Sequence, residues 1–391
     1  MERRTQIEIG RRLLTLVSEG KPDMMDQTLQ VEVDHYTSET QAADEQEILF
    51  RDYPIIVAAS CQLPEPGDFV TSEMTGVPAL VTRNDEGKAR AFINVCRHRG
   101  ARVEYATTGS KKKAFVCSYH GWAYDTDGAL KLVPQDYGFP GFDKSCNGLR
   151  ELPVEEKHGF IWAQHTPSES FNVDDYTSGI EKDLAAFGLK DWHHFKSLEV
   201  SCQMNWKLVM DTFFEAYHIG KLHTATIAHI FYEMSTTFDP FGRNHRMVLP
   251  RRKIDKLRDQ PEDEWQVLPC TAIVYCMFPN TIIVWQADHI EMFRAFPGEN
   301  PGESQAVITI LTPENPQTES ATRHWQNNLD LLLAAVQGED FPAGESVQAG
   351  ISSGAQEHFV WGRYELAMEH FHKNIKELLG RPPLLPQKAA E

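Results

Sequence analysis

Short apolar runs separated by Gly, Asp and Pro dominate the chain from about Arg51 to His165. Ile55-Ile56-Val57, Ala79-Leu80-Val81-Thr82, Ala91-Phe92-Ile93-Asn94-Val95 and Phe160-Ile161-Trp162-Ala163 are rich in β-branched and aromatic residues and read as strands. Asn84-Asp85-Glu86-Gly87 and Asp125-Thr126-Asp127-Gly128 supply turns between them. Residues 1–50 are instead polar and helical, with Ile7, Leu13, Leu14, Leu16 and Val17 on one broad face. Ser38 with Gln41 forms a capping box for a helix running toward Phe50. After His165 the texture alternates, beginning with a polar linker from Ser168 to Asp175 and a helical stretch from Ile180 to Phe187. Strands over Thr271–Phe278, Thr281–Trp285, Glu291–Phe296 and Gln305–Leu311 suit one antiparallel sheet. Thr322–Ala335 and Gly362–Leu379 are helical by period, and Pro382-Pro383 ends the second. The expected fold class is α+β in three segments: packing helices over 1–50, a small all-β unit over 51–165, and a larger sheet-and-helix domain over 166–391.

Composition narrows the partners. A chain of 391 residues exceeds what one core usually supports, so two domains are expected. A formal net charge of −18 repels phosphate backbones and argues against a nucleic-acid partner. Lys111-Lys112-Lys113 is the one local exception and reads as a solvated loop tip. Seven cysteines without a paired framework point to a reducing compartment. With no secretory h-region and no run long enough to span a bilayer, a cytoplasmic location with no membrane partner is expected.

The candidate chemistry starts with Cys96-Arg97-His98-Arg99-Gly100 and Cys117-Ser118-Tyr119-His120-Gly121-Trp122. Each loop presents one thiolate and one imidazole, a set that a tetrahedral zinc or a Rieske [2Fe-2S] cluster would accept. In the cluster each loop gives one ligand to each iron, which Cys96 with His98 and Cys117 with His120 allow without rearrangement. A second constellation lies at Glu215, His218 and His223, after Asn205-Trp206-Lys207. Glu215 and His218 share a helix face. His218 and His223 are about 140° apart on an ideal helix, so a bend is required, with Gly220 as the expected place. Two histidines and a carboxylate make the facial triad of non-haem Fe(II) oxygenases.

Together these motifs closely resemble those of the Rieske non-haem iron oxygenases, specifically the catalytic α subunit of the aromatic ring-hydroxylating family. The likeness covers Asn94 to Trp122, the Leu63-Pro64-Glu65-Pro66-Gly67-Asp68-Phe69 lead-in, and Glu-x2-His-x4-His from Glu215 to His223. It implies a Rieske domain over 51–165 and a helix-grip-like antiparallel catalytic domain over 166–391. Cys96, His98, Cys117 and His120 would hold the [2Fe-2S] cluster, and His218, His223 and Asp340 a mononuclear Fe(II). Asp340 matches because Gln348-Ala349-Gly350-Ile351 and Gly362-Arg363-Tyr364-Glu365 follow it as the family's C-terminal signature does. Glu339 is the runner-up, while Asp211 and Asp288 suit a metal chemically but match no ligand position. Glu215 would bridge His218 to His120 of a neighbouring subunit in a homotrimer, with or without a β subunit. The chain departs from the family in carrying Glu215 where aspartate is commoner, and Asp211-Thr212 where Glu-Asn is common.

The implied function is the terminal oxygenase of a multicomponent system that hydroxylates an aromatic or alicyclic small molecule, as a mono- or dioxygenase. O2 is the oxidant, and NAD(P)H acts only through a separate flavin- or ferredoxin-type reductase, since the chain lacks a Gly-x-Gly-x-x-Gly fingerprint. The alternative within the class is oxidative N- or O-demethylation, including quaternary ammonium substrates. Outside it stands a non-catalytic Rieske electron carrier, which would need only residues 51–165. Phe213, Phe214, Ile219, Phe231 and Tyr232 are candidates for an apolar pocket, or for ordinary core.

Overall fold

In a computed structural model that describes residues 1–167 and 170–386, the chain divides into two units. One comprises Gln46–Val173 with Leu189–Asp191, the other Met1–Glu45, Asp174–Gly188 and Trp192–Glu391. Part of the expected linker, residues 168–169, lies outside the described residues.

The first unit is built from short antiparallel strands. Glu151–Leu152, Ala89–Ile93, Ala79–Arg83, Phe69–Ser72 and Thr108–Gly109 form a sheet in that order, and Val154–Lys157, Phe160–Ala163 and Ile55–Ala59 form a second. A small third sheet joins Phe115–Val116, Ala123–Tyr124 and Leu130–Leu132. Phe69, Phe92, Phe115, Trp122 and Tyr124 fill one core, and Cys96 and Cys117 are buried among them. Lysines 111–113 are not all a solvated tip: Lys112 Nζ donates to Glu104 Oε2 at 2.6 Å and lies 5.6 Å from the centre of the Phe69 ring.

The second unit is organised by a seven-stranded antiparallel sheet. Its strands are β1 (His193–Cys202), β2 (Thr237–Phe241), β3 (Asn244–Pro250), β4 (Thr271–Met277), β5 (Thr281–Trp285), β6 (Ile290–Pro297) and β7 (Ser304–Thr312). They are ordered β1-β7-β6-β5-β4-β3-β2. The helices used below are α1 (Arg3–Glu19), α2 (Trp206–Asp211), α3 (Ile219–Leu222), α4 (Glu319–Ala335), α5 (Phe341–Ser352) and α6 (Leu366–Leu378). A single wide π-type turn, Val336–Asp340, joins α4 to α5.

Three local expectations need correction. Ser38 Oγ accepts the Gln41 N–H, but the Gln41 amide turns to His35 and Glu45 instead of closing a capping box. On α1 the buried face centres on Ile9, Gly10, Leu13 and Leu14, with Ile7, Leu16 and Val17 at its margins. The ligand-bearing segment breaks before Gly220, between the end of α2 at Asp211 and the start of α3 at Ile219. Gly220 sits inside α3, with the Glu233 carboxylate packed against the place a Cβ would take.

Candidate metal centres and substrate cavity

The two loops at Cys96 and Cys117 have the same backbone. The Cys96 N–H donates to the Ala101 carbonyl and the Cys117 N–H to the Trp122 carbonyl, while Gly100 and Gly121 donate back to the respective cysteine carbonyls. Gly100 and Gly121 have φ of 78° and 73°, the left-handed region where glycine is favoured. That shared turn lets cysteine–histidine spacings of two and three residues deliver equivalent ligands. Both thiols are buried, whereas His98 is half-buried and His120 exposed. The His98 ring stacks on Trp122 at 4.9 Å with its plane 8° off parallel. Burial pushes the Cys96 thiol up, although the Tyr124 hydroxyl 3.3 Å from its Sγ pulls the other way. A thiol held in that state becomes a ligand when a metal displaces its proton.

The donors fit a cluster. The Nδ1 atoms of His98 and His120 face each other at 3.1 Å. With metal–nitrogen bonds of about 2.1 Å, two imidazoles on one ion stand about 3.0 to 3.4 Å apart. Two soft donors sit in the apolar core and two nitrogen donors at the surface, the polarity that a mixed thiolate–imidazole cluster requires.

In the second unit His218 precedes α3 and His223 follows it, so the one-turn helix holds both imidazoles over the same spot. The π-type turn carries Asp340 to them. One ligand atom from each of His218, His223 and Asp340 lies within 4.8 Å of the others. Asp340 Oδ1 is 3.1 Å from His223 Nε2 and 3.5 Å from His218 Nε2, yet it is buried without a well-formed hydrogen bond. Two imidazole nitrogens and a carboxylate oxygen converging on one point form a donor set for a metal ion, and these separations suit bonds of the same length. The far ring nitrogens are already engaged: His218 Nδ1 donates to Glu215 Oε1, and His223 Nδ1 donates to Glu339 Oε2 at 2.6 Å. A carboxylate on Nδ1 fixes the tautomer that leaves Nε2 free to ligate. Burial alone would lower the His223 pKa, but Asp340 and Glu339 outweigh it and hold the ring above its ordinary value.

The other sequence candidates are placed differently. Glu339 stands behind His223 and also accepts from Thr226 Oγ1 at 2.6 Å. Asp211 accepts from the Tyr36 hydroxyl at 2.8 Å and faces His372 Nε2 at 2.7 Å. Asp288 pairs with His289 and His324. Glu215 also accepts the N–H groups of Tyr217 and His218 through Oε2, so the carboxylate is held by three donors.

A cavity of about 530 Å³ opens onto Glu215, His218, His223 and Asp340. Phe213, Ile219 and Phe231 line it, as do Leu249, Ala272, Val274 and Val284 from the inner face of the sheet. Phe214 is core, packed on His245 and Phe371, and Tyr232 points away to hydrogen-bond Asp255. Sequence reading missed a polar group on the cavity wall: Arg251, Gln286, Asp288, His289 and Glu291. A signal was available, since Arg251, just past β3, continues the phase of Leu249, and Gln286, just past β5, that of Val284.

Residues 53–143 match the model of the Rieske [2Fe-2S] domain, and residues 189–381 that of the ring hydroxylating alpha subunit (catalytic domain). Over 176 residues the chain is 37% identical to the large oxygenase component of a naphthalene 1,2-dioxygenase system from Ralstonia sp., covering 42% of this chain and 38% of that one. Over 189 residues it is 32% identical to the oxygenase subunit of glycine betaine monooxygenase from Chromohalobacter salexigens, covering 48% and 41%. The aligned segment thus spans about two-fifths of the length of these curated relatives. Among solved structures, a quaternary ammonium Rieske monooxygenase in complex with L-carnitine superposes with a TM-score of 0.77 at 22% identity, covering 91% of this chain and 96% of that one. Naphthalene 1,2-dioxygenase from Rhodococcus sp. bound to indole gives 0.71 at 18%, covering 95% and 98%. These likenesses establish a shared fold. The tandem of matched domains completes the case: the chain belongs to the Rieske non-haem iron oxygenases as a catalytic α subunit, a family whose two domains imply a [2Fe-2S] cluster and a mononuclear iron.

Proposed function

We propose that this chain is the terminal oxygenase component of a multicomponent Rieske oxygenase, using O2 and electrons from NAD(P)H to oxidise a small molecule. A flavin- or ferredoxin-type reductase would deliver those electrons. Cys96 and Cys117 would hold one iron of the cluster and His98 and His120 the other; His218, His223 and Asp340 would hold the mononuclear iron. When bound, these groups supply one-electron transfer and dioxygen activation. The observation that carries the reading is the convergence of His218, His223 and the hydrogen-bond-free Asp340 Oδ1 on one point at the mouth of a mostly apolar cavity.

The chain's own residues have definite parts in this scheme. Glu215 and Glu339 orient His218 and His223 and hold the proton of each imidazole on Nδ1. Phe213 and Ile219 exclude water beside the metal donors, and with Phe231 they position an apolar substrate body. Glu215 would join His218 to His120 of a neighbouring subunit, a path that the exposure of His120 favours. That bridge makes a homotrimer the working assembly, in a cytoplasmic setting. The proposed domain limits are packing helices over 1–50, the cluster domain over 51–165 and the iron domain over 166–391.

Hydroxylation of an aromatic or alicyclic substrate is the leading reaction, in keeping with the naphthalene relatives and with a role in aromatic catabolism. Oxidative demethylation of a quaternary ammonium compound is the second reading, favoured by the glycine betaine relative and the charged wall of the cavity. Turnover tests the proposal: with a surrogate reductase, NADH and isotopically labelled O2, a substrate panel yields product carrying the label, read by mass. Reductant consumption with no labelled product from either substrate class would refute it.

A further inference from the structure

The charged wall of the cavity lies far from the metal donors along α4. Asp288 Oδ2 contacts His324 Nε2 at 3.0 Å, and the His289 ring stands 5.9 Å from that of Trp325. His324 is eleven residues before Ala335, where the turn to Asp340 begins. At 1.5 Å per residue that is roughly 16 Å. The turn carrying Asp288 and His289 therefore makes an ionic end of the cavity remote from the metal donors, and Arg251 joins it through Gln286.

Charges at the ionic end do not balance internally. His289 lies between Asp288 Oδ1 at 2.8 Å and Glu291 Oε1 at 3.4 Å. Burial opposes its charge, but these acids prevail and raise its pKa to about 9, so it is a cation at neutral pH. Three cationic side chains (Arg251, Lys253 and His289) thus face two acids, an excess of one positive charge. With both acids on His289, the groups left over are Lys253, which is exposed, and Arg251, which is half-buried. Arg251 Nε donates to the Thr271 carbonyl at 3.2 Å and one terminal nitrogen to Gln286 Oε1 at 2.6 Å, while its guanidinium covers the Phe231 ring at 5.3 Å. Among the described residues no carboxylate pairs with it. Glu291 and Asp288 act on it through space without a direct contact, and the Gln286 amide that accepts from Arg251 donates to Glu291 Oε2 at 3.1 Å. The turn presenting Gln286, Asp288 and His289 passes through Ala287 at φ 77°, a left-handed conformation that costs a non-glycine residue about 1 to 2 kcal/mol. Such strain is kept where surrounding contacts require it.

We propose that Arg251 is a specificity-determining residue that binds a carboxylate of the substrate, so that an anionic group is held at the sheet wall while an apolar or methylated end reaches the metal donors. A guanidinium offers a fork matching a carboxylate. The competing occupant, a cation without a carboxylate, would need an aromatic cage, and Phe231 is already covered by Arg251. The proposal rests on the oxygenase reading for what happens at the metal end, but the anion site does not depend on it.

The test is calorimetric binding to the full chain as purified, with matched probes: benzoate against benzamide, cinnamate against cinnamamide, and glycine betaine against choline. For at least one pair the acid binds roughly 10- to 100-fold more tightly than its partner, the range of one charge-assisted hydrogen bond. In Arg251→Gln that preference falls to within about twofold, with the uncharged amide unaffected, and Arg251→Lys retains part of it. Equal binding within all three pairs, a tighter fit of choline, or a preference surviving Arg251→Gln in protein of wild-type visible spectrum would overturn the assignment. Tight acid binding without labelled product in the turnover assay would sink the oxygenase reading and leave the anion site standing.

Discussion

His289 shows how much one side chain in this cavity contributes to the fold. It is buried between Asp288 and Glu291, and its pKa rises from 6.5 to about 9. The stabilisation from a raised pKa is fully present below about pH 6.5 and is lost as pH rises through 9. The shift corresponds to roughly 3 kcal/mol at most. Thermal unfolding of wild type and His289→Gln from pH 6 to 10 should show the wild-type advantage shrinking across that window; parallel profiles would contradict the ion-pair account. Legibility at this scale was uneven. Cysteines and histidines announce themselves by type and spacing, and Asp340 by its surroundings. The acids behind the histidines do not: nothing in Gly338-Glu339-Asp340-Phe341 says which carboxylate reaches Nε2 of His223 and which reaches Nδ1. The wide turn from Val336 to Asp340 decides that, and its hydrogen-bond register leaves no mark in composition.

Among the elements, α2 has the most exacting anchor. Lys207 and Glu45 are both buried, with Nζ 2.6 and 2.8 Å from the two carboxylate oxygens, and Trp206 Nε1 donates to the same carboxylate at 2.8 Å. Burial pulls the Lys207 pKa down, which Glu45 opposes. Removing the acid leaves a buried charge unpaired, so Glu45→Gln should cost about 3 to 5 kcal/mol in urea unfolding. A loss below about 1 kcal/mol would show that the pair does not hold α2 in place. Element prediction succeeded where burial follows period, as in β4 to β7. It missed β1, half exposed along its length, and β2 and β3, where Pro240 and the buried polar residues Asn244, His245 and Arg246 hide the pattern. Arg246 is buried because Asp183 and Asp239 neutralise it, 2.6 and 2.9 Å away. Asp239 is its cross-strand partner in the β2–β3 hairpin, whereas Asp183 is 63 residues away and no local rule finds it. The bend misplaced at Gly220 has a similar cause: a glycine marks either a hinge or a close approach, and only the neighbour, Glu233, distinguishes them.

For the whole molecule the central claim is that one chain holds two kinds of iron site, with His218, His223 and Asp340 forming the second. The division into two units and the grouping of His218, His223 and Asp340 were legible because each candidate set is local except for Asp340, whereas the ionic wall joins strands far apart in the chain. The most direct test is iron and acid-labile sulfide measured on the same purified samples of wild type and Asp340→Ala. Three irons and two sulfides per chain are expected for wild type, and two irons with both sulfides and an unchanged visible spectrum for the variant. Zinc without sulfide in wild type, or a variant that keeps its third iron, would contradict the account.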